Sequence, residues 1–168
     1  MNKDSEFEQI FSIMEQSFPK SEIREYEEQK IILNNDKYHI ITSKSPNGDI
    51  NGFLTFWNLE SVNFIEHIAV KDTFRGKGIG SRLICKYLSE TCLPTILEVE
   101  APLNETAVRR IKFYEKSGFY LNLYFYSQPS FVKGGLSIPM YIMSYPNKIN
   151  FNEFILLRKE IYKKIYFL

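Results

Sequence analysis

Three of the five residues from Gly76 to Gly80 are glycine, and they separate a β-like run ending at Val70 from a helix-like run opening at Ile79. No other feature constrains the fold as tightly. Glycine lets the backbone turn successive N–H groups toward one point, and a helix N-terminus adds about half a positive charge there. With the cations of Arg75 and Lys77, the segment Arg75-Gly76-Lys77-Gly78-Ile79-Gly80-Ser81 reads as a cradle for a phosphate or pyrophosphate. The plainer alternative is a tight connection whose glycines merely permit the turn. The spacing excludes a P-loop, which needs Gly-x-x-x-x-Gly-Lys-Ser/Thr, and it departs from the dinucleotide fingerprint Gly-x-Gly-x-x-Gly.

The periodicities on either side place this loop in a mixed domain. Phe7, Ile10, Phe11 and Met14 predict a helix over residues 5–18, with Pro19 just beyond, and a second helix is expected over 21–33. Strands at 38–43 and 50–59 are joined by Ser45-Pro46-Asn47-Gly48-Asp49, in which Pro presets φ and Asn-Gly supplies positive φ. A strand over 62–70 leads to the loop and a helix over 79–91; a strand at 95–100 and a helix at 104–117 follow, the helix ended by Gly118. Strands at 119–126 and 138–145 precede a last helix, opened by the capping-box pattern Asn150-x-x-Glu153. This order predicts an α+β fold, a three-layer α/β/α arrangement around a mixed sheet. At ~150 residues per domain the chain reads as one domain over 1–168, with 150–168 an extra C-terminal helix.

Composition excludes several function classes. Twenty-one Lys and Arg against twenty Asp and Glu leave a net charge of +1, so no global field draws in nucleic acid or an anionic membrane. No apolar run exceeds four residues, far short of the ~20 that a membrane-spanning helix needs. Residues 1–8 are acidic and polar and read as no signal peptide. Cys85 and Cys92 alone make neither a disulfide framework nor, without paired His, a metal site. A cytoplasmic location is expected, with no metal, no nucleic acid and no membrane.

The spacing that does fit is Arg-x-x-Gly-x-Gly at Arg75, Gly78 and Gly80, and there the chain resembles the general N-acetyltransferase (GNAT) superfamily. Phe64-Ile-Glu-His-Ile-Ala-Val70 resembles the strand that leads into that family's loop, and Phe113-Tyr-Glu-Lys-Ser-Gly-Phe119 its late helix ending in Tyr-Glu-x-x-Gly-Phe. Together with Leu97-Glu98-Val99 the likeness spans roughly residues 5–145. It implies a mostly antiparallel sheet with splayed middle strands and a loop that holds the pyrophosphate of acetyl-coenzyme A. The coenzyme would then meet Ile68, Ala69, Val70, Arg75, Gly76, Lys77, Gly78, Ile79, Gly80, Ser81 and Asn104. Two departures stand out: residues 1–4 leave little room for the family's leading strand, and Arg110 stands where a small residue is common. The second implies that Arg110 contacts the coenzyme.

Acetyl transfer to an amine requires loss of the amine's proton, stabilisation of the carbonyl oxygen, protonation of the departing thiolate and alignment of the partners. No Cys or Ser lies in a nucleophile motif, so direct attack is favoured over an acyl-enzyme. The resemblance makes Tyr114 the acid, although Ala107, Ile111 and Tyr114 also form a plain helical core stripe. Glu98 and Glu66 compete as base, each with a solvated or ion-paired carboxylate as the alternative; Glu100 is a weaker third, and a lone His67 reads as structural. A backbone N–H around Ile68 to Val70 is implied for the oxyanion.

The expected function is N-acetyl transfer from acetyl-coenzyme A to a primary amine. The alternative is a non-catalytic acyl-coenzyme A sensor or interaction module on the same fold. A ribonucleoprotein module built on Arg109-Arg110-Lys112 is disfavoured by the net charge. Trp57, Tyr120, Tyr124, Tyr126, Phe131 and Tyr141 are either acceptor-cleft or core aromatics. The tail's apolar side, with Phe151, Phe154, Ile155, Ile161, Tyr162 and Ile165, must be covered either by its own domain or by a second copy, so a monomer or homodimer is expected.

Overall fold

The computed structural model describes residues 3–168, with side chains from residue 5; the reading of residues 1–4 as too short for a leading strand lies partly outside them. Six strands form one mixed, mostly antiparallel sheet with helices on both faces, in the order β1-β2-β3-β4-β6-β5. The strands are β1 (Tyr38–Lys44), β2 (Ile50–Asn58), β3 (Asn63–Val70), β4 (Thr95–Glu100), β5 (Tyr120–Gln128) and β6 (Ile138–Tyr145). The helices are α1 (Lys3–Ser17), α2 (Tyr26–Ile32), α3 (Ile79–Glu90), α4 (Glu105–Glu115) and α5 (Phe151–Lys164). The chain gathers into two compact units, Met1–Asn58 with Ile65–Cys92, and Leu59–Phe64 with Leu93–Leu168.

In the first unit β2 pairs antiparallel with β1 across the turn, where Gly48 N–H bonds to the Ser45 carbonyl at 2.9 Å. β2 is buried along nearly its whole length because helices pack on both of its faces. On one side Phe53 joins Phe7, Ile10, Phe11 and Met14 of α1 in a core cluster. On the other, Phe56 meets Tyr87 of α3 edge-on, ring centroids 4.8 Å apart. The expected helix over 21–33 is shorter than its pattern. Lys20–Glu22 form a 3-10 turn, Ile23 is extended, and α2 starts only at Tyr26. The cause is tertiary: Arg24 is drawn inward to an ion pair with Glu66.

In the second unit β6 pairs antiparallel with β4 on one side and β5 on the other. The β5–β6 register slips: Asn122 faces Ile142 but Tyr126 faces Met140, so β5 spends two extra residues there. Leu123 and Phe125, within the slip, are exposed. α4 presents Ala107, Ile111 and Tyr114 to β4 and β5, all buried as the stripe predicts, and Gly118 follows it at φ +90°. α5 opens with the expected capping box: Asn150 Oδ1 accepts from Glu153 N–H at 3.0 Å while Glu153 Oε2 accepts from Asn150 N–H at 2.6 Å. Of its apolar side Phe154, Ile161 and Ile165 are buried, Ile155 and Tyr162 half-buried and Phe151 exposed, and α5 packs on β5 of this unit.

Candidate active site

The glycine loop is built on the end of β3. Lys71 N–H bonds to the Asn51 carbonyl of β2 at 2.9 Å, and a 3-10 turn, Asp72–Phe74, carries the chain outward. Arg75 is held back by Asp72, its Nη2 2.8 Å from Oδ1, and the Lys77 ammonium lies 4.9 Å over the Phe74 ring. Gly78 is the N-cap of α3 at φ +72°, a left-handed conformation that a β-branched residue adopts only with strain. Its carbonyl accepts from Arg82 N–H at 3.0 Å, opening the helix, so the N–H groups of the first turn have no acceptor within α3. Those donors, the helix dipole and the Lys77 and Arg75 charges gather positive potential at the head of α3.

Two residues that support this loop from α3 and β2 were not legible in the sequence. Arg82 Nη1 donates to the Lys77 carbonyl at 2.9 Å and braces the loop from the helix side, where it adds a third cation. Gly52 of β2 lies beneath: a Cβ there would stand 3.0 Å from Ile79 Cγ2 and 3.1 Å from the Ala69 carbonyl oxygen. Arginine three residues into a helix and glycine inside a strand were the available signals.

Glu66 sits in a closed network in the first unit. Its side chain is 3% exposed, and its oxygens take Arg24 Nη1 and Nη2 at 3.0 and 2.9 Å and Trp57 Nε1 at 3.1 Å. Burial works to raise its pKa, but the Arg24 charge, with His67 alongside at 3.5 Å, outweighs it and leaves the carboxyl well below the usual range. Both oxygens of this carboxylate are thus taken by partners of the same unit. The His67 ring is buried against Phe18, its Nε2 2.9 Å from the Glu22 carbonyl. Ala69 is buried and Ile68 and Val70 half-buried, and the Val70 carbonyl accepts from Arg75 Nε at 3.4 Å.

Glu98, in the second unit, has a different setting. Tyr126 donates to its Oε1 at 2.5 Å and Tyr166 to its Oε2 at 2.9 Å. The neighbouring outward residue, Glu100, lies 3.7 Å from Arg110 Nη1, so the arginine that sequence reasoning gave to the coenzyme is here within an ion pair's reach of β4. Tyr114 is buried against Phe113 and Phe119, and burial pushes its phenol up to about 12, with Arg110 pulling the other way. Asn104 caps α4, accepting from Ala107 N–H at 2.8 Å. Among the described residues no group of His, Cys, Asp and Glu could hold a metal ion.

The profile of the Acetyltransferase (GNAT) family matches residues 7–119, a span that holds the loop, Glu66, Glu98 and Tyr114. The chain is a GNAT acetyltransferase family member. Among solved structures, a protein of Bacteroides thetaiotaomicron assigned to the GNAT family superposes with a TM-score of 0.90 at 28% identity, covering 98% of this chain and 94% of that one. The ribosomal-protein alanine N-acetyltransferase of Escherichia coli gives 0.63 at 19% identity over 89% and 92%. An aminoglycoside 6'-N-acetyltransferase of Enterococcus faecium gives 0.61 at 16% over 85% and 91%. The last two share the fold alone. No curated protein matches the sequence. In this GNAT member β5, β6 and α5 lie beyond the matched span, so Tyr126 and Tyr166 reach Glu98 from outside it. None of its described helices is long and apolar enough to cross a membrane.

Proposed function

We propose that this chain transfers an acetyl group from acetyl-coenzyme A to a primary amine by direct attack. The observation that carries the reading is the loop at the head of α3, with left-handed Gly76 and Gly78, three cations and open helix donors. Its backbone would hold the pyrophosphate of the co-substrate, with Arg110 and Asn104 as further contacts. Glu98, through a water, takes the proton of the acceptor ammonium. The freed nitrogen then attacks the thioester carbon, and the oxygen's charge is met by a backbone N–H at Ile68 to Val70. As the C–S bond breaks the thiolate takes the Tyr114 proton. The second proton of the nitrogen returns to the phenolate through water, so one proton is released per turnover. The reading places the protein in the cytoplasm as a monomer or homodimer, and a net charge of +1 supports partners other than nucleic acid or membrane.

Two expected results test it. Coenzyme A at ~100 times its Kd should stabilise the protein by about 2.7 kcal/mol, seen as a higher melting temperature. Gly78→Val should lose that response, because the residue needs φ +72° and a Cβ would press on Arg82 Nη1 at 3.3 Å. Full coenzyme affinity in the variant would refute the loop assignment.

Turnover is read as thiol release over a panel of amines. Glu98→Gln should depress kcat/KM and remove its acidic limb, while coenzyme binding stays. An acidic limb that survives the substitution would assign deprotonation to another group. Coenzyme binding with no thiol release on any amine would favour the non-catalytic sensor.

A further inference from the structure

Tyr166 stands beyond α5, 68 residues along the chain from Glu98, yet its hydroxyl is 2.9 Å from Oε2 and 3.2 Å from Oε1. The tail is fixed at several points. The capping box starts α5, Phe154, Ile161 and Ile165 are buried, and Tyr162 donates to the Ser127 carbonyl at 2.5 Å. The Tyr166 ring packs on Phe131 at 4.9 Å. Buried Gln128 Nε2 donates to the Tyr166 hydroxyl at 3.1 Å. An amide NH₂ only donates and a phenol has one proton, so this contact makes Tyr166 the donor toward Glu98. Tyr126 supplies the second phenol from β5, and burial and Glu98 both hold its proton on.

We propose that Tyr166 is a positioning residue for Glu98: the C-terminal tail holds the carboxylate in one orientation and favours its charged form. This rests on the reading of Glu98 as the group that takes the acceptor's proton. Two charge-assisted hydrogen bonds stabilise the carboxylate over the acid and lower its proton affinity. Besides Tyr126 and Tyr166, Tyr162 on α5 also feels the Glu98 charge, with Arg158 near it, and Glu100 on the same strand is engaged by Arg110 of α4. On β6 its register partner is Ile142, which does not titrate. Tyr166 therefore couples the tail to the pH dependence of the reaction.

The test first reads the carboxylate without any substrate. In full-length protein carrying ¹³C-labelled glutamate, Tyr166→Phe should raise the Glu98 pKa by about one unit, the loss of one charge-assisted bond. Tyr162→Phe, whose hydroxyl serves the Ser127 carbonyl, should leave it nearly unchanged. Gln128→Met keeps both phenols and should give a smaller rise, and it serves as the second variant if Tyr166→Phe fails to fold. With an amine that turns over, the acidic limb of kcat/KM should move up by the same amount while KM for acetyl-coenzyme A holds. A Glu98 titration unmoved by either variant, or an acidic limb that stays while the titration moves, overturns the proposal. An inactive wild type whose Glu98 still shifts in Tyr166→Phe would sink the transfer reading and leave the coupling of tail to carboxylate standing.

Discussion

Tyr114→Phe is expected to lower kcat by about 10²–10⁴-fold, the usual worth of a positioned general acid. Coenzyme A affinity should be nearly unchanged, because the hydroxyl acts only as the C–S bond breaks. The buried phenol, pushed up to about 12, is fully protonated at neutral pH, so the proton is in place when sulfur begins to carry charge. A free thiol holds its proton at ~8.5, which makes the transfer uphill unless the phenolate is stabilised. Arg110 is the group that works in that direction, lowering the phenol's proton affinity against burial. Single-turnover rates of thiol release separate this chemistry from product release. An unchanged single-turnover rate in Tyr114→Phe would return the residue to the core stripe it shares with Ala107 and Ile111.

Glu66→Gln should cost about 3–5 kcal/mol of stability, the penalty for stranding a buried partner charge. Arg24 is 3% exposed at the side chain, and the substitution would leave its guanidinium facing a neutral amide. The fall is read from the denaturant midpoint, and a double replacement, Arg24→Met with Glu66→Leu, should recover most of it. The pH dependence follows from the lowered carboxyl pKa. Its contribution is fully present above the unfolded value of ~4.3 and is lost as pH falls below that toward the folded value. Wild-type protein should therefore lose stability on acidification through this range more steeply than the double variant. A Glu66→Gln protein as stable as the wild type would mean that the pair is dispensable.

These two cases also show where sequence was legible and where it was not. β4 and β6 match the expected bounds to the residue, because Pro94 precedes the first and Pro146 follows the second. The Asn150–Glu153 cap was readable because both partners lie within one turn. The helix expected over 21–33 was misjudged because its first residues answer to Glu66, 42 positions away from Arg24. Glu66 and Glu98 looked alike in sequence, each a carboxylate within an apolar strand. What separates them is who arrives: a guanidinium and an indole for Glu66, two phenols for Glu98. Those partners come from distant segments, and no local pattern marks them. The loop was legible because glycine spacing encodes backbone conformation directly, whereas the Arg82 brace depends on where a side chain folds back.

The slip between β5 and β6 carries an arithmetic consequence. Strand side chains alternate with period two, so an excess of two residues returns the chain to the same face of the sheet. Asn122 and Tyr126 bracket the slip and are both buried, Asn122 bonding to Ser144 and Tyr126 to Glu98. Between the exposed Leu123 and Phe125 stands Tyr124, which stacks on Phe154 and donates to the Ile149 carbonyl at 3.3 Å, so the same two extra residues that keep Tyr126 on the carboxylate also give the tail helix its foothold on the strand.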